Sequence, residues 1–132
     1  MRSRLLRRAA VASLSLTATA ALAHHSFSAE FEANKRLTMT GTVTKVEWQN
    51  PHTWFYVDVK DDNGNVANWG FELASPNLLM RQGWTRSSMN VGDVVTVEAY
   101  LAKNGTNNAN AHVVTLATGK TLFTGSGAGS RP

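Results

Sequence analysis

Val46-Glu47-Trp48-Gln49-Asn50-Pro51-His52-Thr53-Trp54-Phe55-Tyr56 decides the fold. The stretch predicts the end of one strand, a tight corner and the start of the next. Pro51 has no N–H and a fixed φ, so it cannot sit inside a ladder and marks the corner. Asn50 suits the start of a turn, because its side chain can bond its own backbone. His52 is thereby placed on a loop flanked by Trp48 and Trp54.

Working outward, Leu37 to Asn50 predicts a long first strand rich in Thr and Val. Leu37, Met39, Gly41 and Val43 share one parity, and Val46 and Trp48 share the other. The inward phase therefore switches near Thr44-Lys45, which predicts a bulge, and Gly41 permits a sharp bend. A long bent first strand is what a small closed sheet needs when one strand serves both halves. On Thr53–Lys60, Phe55, Val57 and Val59 alternate with Trp54, Tyr56, Asp58 and Lys60, and the first set is predicted to face the core. Asp61-Asp62-Asn63-Gly64-Asn65 is a hairpin turn. Val66–Leu73 follows, with Trp69, Phe71 and Leu73 predicted inward and Asn68, Gly70 and Glu72 outward.

Ser75-Pro76 opens a short helix, with Ser as N-cap and Pro at the first helical position. Leu78, Leu79 and Met80 supply its apolar side, Gly83 ends it, and Trp84 is predicted to plug one end of the fold. Asn90-Val91-Gly92-Asp93 turns into a fourth strand, Val94–Leu101, with Val95, Val97, Ala99 and Leu101 on one face. Lys103 to Asn110 is a predicted loop, His112 to Ala117 a fifth strand, and Thr121-Leu122-Phe123 a possible edge segment. The fold class is mainly β: a five-stranded OB-like β-barrel with one short helix between strands three and four. A split β-sandwich is the alternative.

The ends carry different signals. Met1 to Arg8 is basic, Ala9 to Leu22 is small and apolar, and Ala21-Leu22-Ala23 is an A-x-A cleavage site. Residues 1–23 thus read as a secretory signal peptide, and its apolar run is too short for a stable membrane span. The chain divides into that leader, an N-terminal arm at 24–36, the barrel at 37–123 and a Gly/Ser tail at 124–132. Phe27 and Phe31 lie four apart, which permits a helical turn, or equally an extended arm across the barrel.

Charge and cysteine content exclude several functions. Of 13 Lys and Arg, four lie in the leader; nine remain against nine Asp and Glu. The exported chain is then neutral and lacks the basic surface that nucleic acid demands. With no cysteine, thiolate metal sites, cysteine nucleophiles and disulfides are all excluded. The expected address is periplasmic or secreted, with no membrane span after cleavage.

The motifs together resemble a family of small exported bacterial proteins carried as a domain of unknown function. The resemblance rests on His24-His25-Ser26-Phe27, on Trp48-Gln49-Asn50-Pro51-His52, on Trp69 with Glu72, on Ser75-Pro76-Asn77 through Leu79, on Gly83-Trp84 and on Gly92-Asp93. It implies a periplasmic location and a compact β-barrel-like fold, and it carries no catalytic residues across.

Two candidate sites follow. In the first, cleavage exposes the His24 amine beside the His24 and His25 imidazoles, a set able to chelate copper or zinc. His52 and His112 flank the loops expected at the binding pole of an OB-type barrel and could close that metal site. Equally, an N-terminal His pair can be mere leader junction, and His52 and His112 ordinary hydrogen-bonded histidines. In the second, Trp54 and Tyr56 point outward beside Gly70, which would leave an open ledge, and Trp48 and His52 adjoin them. Such rings stack bases or sugars on OB-type sheets; on a neutral chain they suit a small ligand or a periplasmic protein partner instead. Alternatively, the Phe27/Phe31 arm covers them as ordinary core. Asp58, Glu72 and His52 offer acid–base groups, but no spacing assembles them, and Ser26, Ser75 and Ser87 lack a nucleophile-elbow context. The expectation is an exported, non-enzymatic binding or accessory protein. Its ligand or partner would sit at the pole made by the Asn50–His52 and Lys103–His112 segments. The alternative is a periplasmic copper- or zinc-binding protein.

Overall fold

The computed structural model describes residues 27–125. The leader, His24, His25 and Ser26, and most of the tail lie outside them. Six strands and one short helix run in the order β1 (Phe31–Glu47), β2 (Trp54–Lys60), β3 (Val66–Glu72), α1 (Pro76–Arg81), β4 (Val94–Ala102), β5 (Asn108–Thr115) and β6 (Thr121–Phe123). They form one sheet in the order β3-β2-β1-β4-β5-β6, and a further β3–β5 pairing closes the first five strands on themselves. That closing pair is parallel; the other neighbours are antiparallel. The described strands form a single sheet rather than the two of the sandwich alternative, and β6 is the edge segment at Thr121–Phe123, added to the five strands of the expected barrel.

β1 belongs to both halves of the sheet. Its first part pairs with β4 and its last part with β2, and Gly41 and Thr42 are paired on both sides at once. The β1–β2 register slips between Val43 and Lys45, where the sequence phase switches. The 90–93 turn docks there, Gly92 N–H donating to Val43 O and Val43 N–H to Asp93 O, both at 2.8 Å. At Gly41 any Cβ would lie 2.2 Å from the Asp58 carbonyl oxygen, so the close approach of β1 to β2 requires glycine.

The core lies inside the closure. Phe55 and Phe71 stack with ring centroids 5.2 Å apart, ringed by Val43, Val57, Val97 and Val114. Ser75 accepts a hydrogen bond from Leu78 N–H, Pro76 begins α1, and Leu79 is its buried anchor. Gly83 follows at φ 94°, and Trp84 is buried with its indole N–H donating to Phe123 O at 2.8 Å. Among the described residues no helix is long and apolar enough to cross a membrane.

Several boundaries and burials depart from the pattern. β1 starts at Phe31 rather than Leu37, because residues 31–36 reach β4 through an irregularity that leaves the intervening polar residues in solvent. Residues 27–30 form the helical turn. Phe27 packs on Phe31 and Tyr100, not on Trp54 and Tyr56, and these rings make a second small cluster with Ala102. Leu101 is correspondingly only half-buried while Tyr100 is buried. β5 starts at Asn108 rather than His112, since pairing with β3 satisfies the backbone of the Asn-rich segment. Met80 is exposed, and Trp69 is half-buried at the rim of the core rather than inside it.

Two stability measurements follow. Gly41→Ala forces β2 backbone to move and should cost about 1–3 kcal/mol or more in urea unfolding, as overpacking does. Phe71→Ala should cost ~3–5 kcal/mol, and Trp69→Ala clearly less, because only Phe71 is fully buried. Equal losses at the two positions would place Trp69 in the core.

Candidate functional site

Trp54, the first residue of β2, stands opposite Glu72, the last of β3, and Glu72 in turn pairs with Asn110 of β5. Three strand segments thus meet at one end of the closed sheet. Over them lie Ala29, Glu30 and Phe31, and beside them Ala102, Lys103 and Asn104 at the end of β4. Together with Asn108 these enclose a cleft of about 400 Å³. The 27–31 segment is tied down there by Lys103, whose backbone N–H donates to Glu30 O at 2.9 Å and whose ammonium donates to Ser28 O.

Glu72 is the buried carboxylate of the cleft. Strand alternation sends it outward, yet it is 7% exposed, because β5 closes on β3 and the N-terminal turn covers the end of the pair. Its Oε1 lies 3.0 Å from His52 Nδ1. Burial pushes the Glu72 carboxyl above its ordinary value; His52 opposes that and Glu30 adds to it. The expected ledge at Gly70 is absent for the same reason. Gly70 is buried, and a Cβ on it would lie 2.6 Å from Asn108 Oδ1 and 3.2 Å from the Tyr56 ring.

The four residues named for a ligand divide their roles. Trp54 lines the cleft. Tyr56 stacks against it at 6.5 Å with a 21° tilt, held by its hydroxyl donating to Glu47 Oε2 at 3.3 Å and by Lys45 5.5 Å over its ring. Lys45 and Glu47 form an ion pair. His52 is half-exposed and touches Glu72. Trp48 packs on the core edge under Arg86, 5.8 Å from its ring, outside the cleft. Glu30, Glu72, Lys103, Asn104 and Asn108 complete the cleft and were not picked out as ligand residues. Glu72 carried a signal in the Trp69/Glu72 motif, Lys103, Asn104 and Asn108 lie in the Lys103–His112 segment expected at the binding pole, and Glu30 carried none.

The histidines are engaged separately. His112 sits inside β5, where Glu98 pairs with Val113 and Ala99 with Ala111, leaving His112 as the extra residue of a bulge. Its ring is buried edge-on to Tyr100 at 5.8 Å and Phe123 at 6.2 Å. Burial lowers its pKa first, the Arg36 charge adds to that, and Glu98 opposes. Among the described residues no group of three or more His, Asp or Glu is placed to hold a metal ion. His24 and His25 lie outside the described residues, so the copper- or zinc-binding set has only His52 and His112 within them.

The chain belongs to DUF6152, a family of unknown function, whose profile matches residues 10–111. No curated protein matches the sequence. Among solved structures, this chain is similar to the mitochondrial single-stranded DNA binding protein Rim1 of S. cerevisiae. One crystal form is 11% identical over 62% of this chain and 92% of that one, with a TM-score of 0.49. Another is 14% identical over 62% and 91%, with a TM-score of 0.46.

Glu72 makes a pH prediction with a definite sign. A carboxyl whose folded pKa is raised contributes stability that is present below its unfolded value and lost as pH climbs through the folded one. The groups facing it are His52 from the β1–β2 loop, Glu30 from the N-terminal turn and, across the cleft, Lys103. Glu72→Gln removes the titration. The variant should therefore gain on the wild type in thermal midpoint as pH rises from about 4 to about 7. Parallel midpoint curves for the two proteins would mean that the carboxylate is effectively solvated.

Proposed function

We propose that this member of DUF6152 is an exported, non-enzymatic binding protein, and that a small ligand occupies the cleft over Trp54, Glu72 and Asn108. The observation that carries this is a carboxylate with a 9% exposed side chain sharing the wall of a 400 Å³ cleft with an indole. Burying a carboxylate is costly unless its partners compensate, and among the described residues its ion-pair contact is His52. A concave site with one aromatic wall and a few convergent polar groups is the usual form of a small-molecule site. We read the closed five-stranded part, with α1 between β3 and β4, as an OB-like barrel and the cleft as its loop pole. His52, Lys103, Asn104 and Asn108 come from the two segments that the sequence places there. The export assignment rests on residues 1–23 and implies a periplasmic or secreted protein. The balance of nine basic and nine acidic residues after the leader favours a small ligand over nucleic acid.

The test is an NMR screen of a mixed small-molecule library against ¹⁵N-labelled protein. Hits should shift the Trp54 indole and the Asn104 and Asn108 side-chain amides together. Trp54→Ala should weaken those hits at least ten-fold. Hits that map away from these groups, or that survive Trp54→Ala unchanged, would remove the cleft from consideration.

A further inference from the structure

We infer that the cleft takes a small organic cation: a guanidinium or ammonium group on a short apolar body, seated among the Glu72 and Glu30 carboxylates and the face of Trp54. This deepens the binding reading above and rests on it.

Glu72 comes first. Its side chain is nine-tenths buried, and its Oε1 meets His52 Nδ1. Among the described residues that is the contact its carboxylate makes. A carboxylate has about four acceptor positions, so most of its capacity is unfilled at the wall of an open cleft. Glu30 lines the same cleft, and its charge acts on Glu72 unfavourably. Two carboxylates that repel across a cleft are relieved when one takes up a proton or when a positive charge sits between them.

Among the described residues the positive partner that Glu72 meets is the His52 ring, which carries a charge only when protonated. Lys103 is the basic residue in the lining, and its ammonium is turned onto the Ser28 carbonyl, which fastens the N-terminal turn. Trp54 adds the second recognition element. Its indole is braced by the stacked Tyr56 ring, and a cation over an indole face is the most favourable cation–π geometry. A guanidinium unites both contacts, since it meets a carboxylate through paired N–H donors and lies flat on an aromatic face. An anion would meet two negative groups. A metal ion would find no cluster of three ligands among the described residues.

The experiment compares two ligands of the same shape and different charge: butylguanidinium and neutral butylurea, titrated calorimetrically and by NMR at neutral pH in low salt. Butylguanidinium should bind at least ten-fold more tightly, shift the Trp54 indole, and lose its advantage as sodium chloride screens the site. Glu72→Gln should abolish most of that advantage, and Glu30→Gln should reduce it in part. Asp62→Asn, in the exposed β2–β3 turn, should leave it unchanged. Equal binding of the two ligands at the cleft overturns the cation while the cleft reading stands. A charge preference that survives both Glu72→Gln and Glu30→Gln places the cation elsewhere and overturns the inference as well. If neither ligand binds and the library screen also finds nothing in the cleft, the cation and the binding reading fall together.

Discussion

The short parallel pairing of β3 with β5 is the constraint on which the rest depends. Gly70, Phe71 and Glu72 lie against Asn108, Ala109 and Asn110, and Gly70 N–H donates to Asn107 O at 2.9 Å. Without it the sheet is open and Phe71 and Ala109 lose their enclosure. With it, the edges of β3 and β5 are satisfied, which removes the hazard an unpaired edge presents. The pairing also needs room, and Gly70 provides it: any side chain there would meet Asn108 Oδ1. The same closure takes Glu72 out of water, so the fold and the candidate site have one origin.

What the sequence made legible is what local chemistry decides. The β2–β3 hairpin follows from alternation around Asn63-Gly64, and Asp61 fixes the turn by accepting from Asn63 and Asn65 N–H. The bulge near Thr44, the Ser75-Pro76 start and the Gly83 stop are likewise short-range signals. Trp54, Tyr56 and His52 were visible as candidates because the Asn50-Pro51 corner places them on a known side of a strand. What stayed hidden is non-local. Asn108 and Asn110 look like loop residues until β3 arrives to pair with them. Glu72 reads as solvent-facing by parity, and only β5 and the N-terminal turn bury it. Glu30, more than forty residues upstream, has no sequence relation to Glu72 at all.

The N-terminal turn is held by a different set of forces from the core. Phe27, Phe31, Tyr100 and Ala102 form their own cluster, and Arg36 donates to the Tyr100 hydroxyl at 2.9 Å while lying 5.3 Å over its ring. Lys103 adds two bonds to the turn. The cleft is therefore a seam between a large cluster below and a small one above. Separating the small cluster would cost far less than opening the core, since apolar area buried is the main term. A ligand in the seam would touch both sides and so tie the N-terminal segment to the sheet, adding stability in proportion to its affinity.

Among the described residues, the buried carboxylate of Glu72 and the buried imidazole of His112 both sit where regular alternation fails. Glu72 lies at the parallel closure and His112 at the β5 bulge. In the regularly alternating β2, parity sends such groups outward, where Asp58 accepts from Asn68 in an inexpensive surface contact. An irregularity breaks the correspondence between parity and exposure, and at Glu72 and His112 a polar side chain is buried beside one. The two groups also respond to pH in opposite senses. The raised Glu72 withdraws stability as pH rises through its folded value, and the lowered His112 withdraws it as pH falls through its own. Neither loss serves the core, which is complete without them. Of the pair, His112 is enclosed by rings, whereas Glu72 opens onto a cleft, so only Glu72 can recover its cost from something outside the chain.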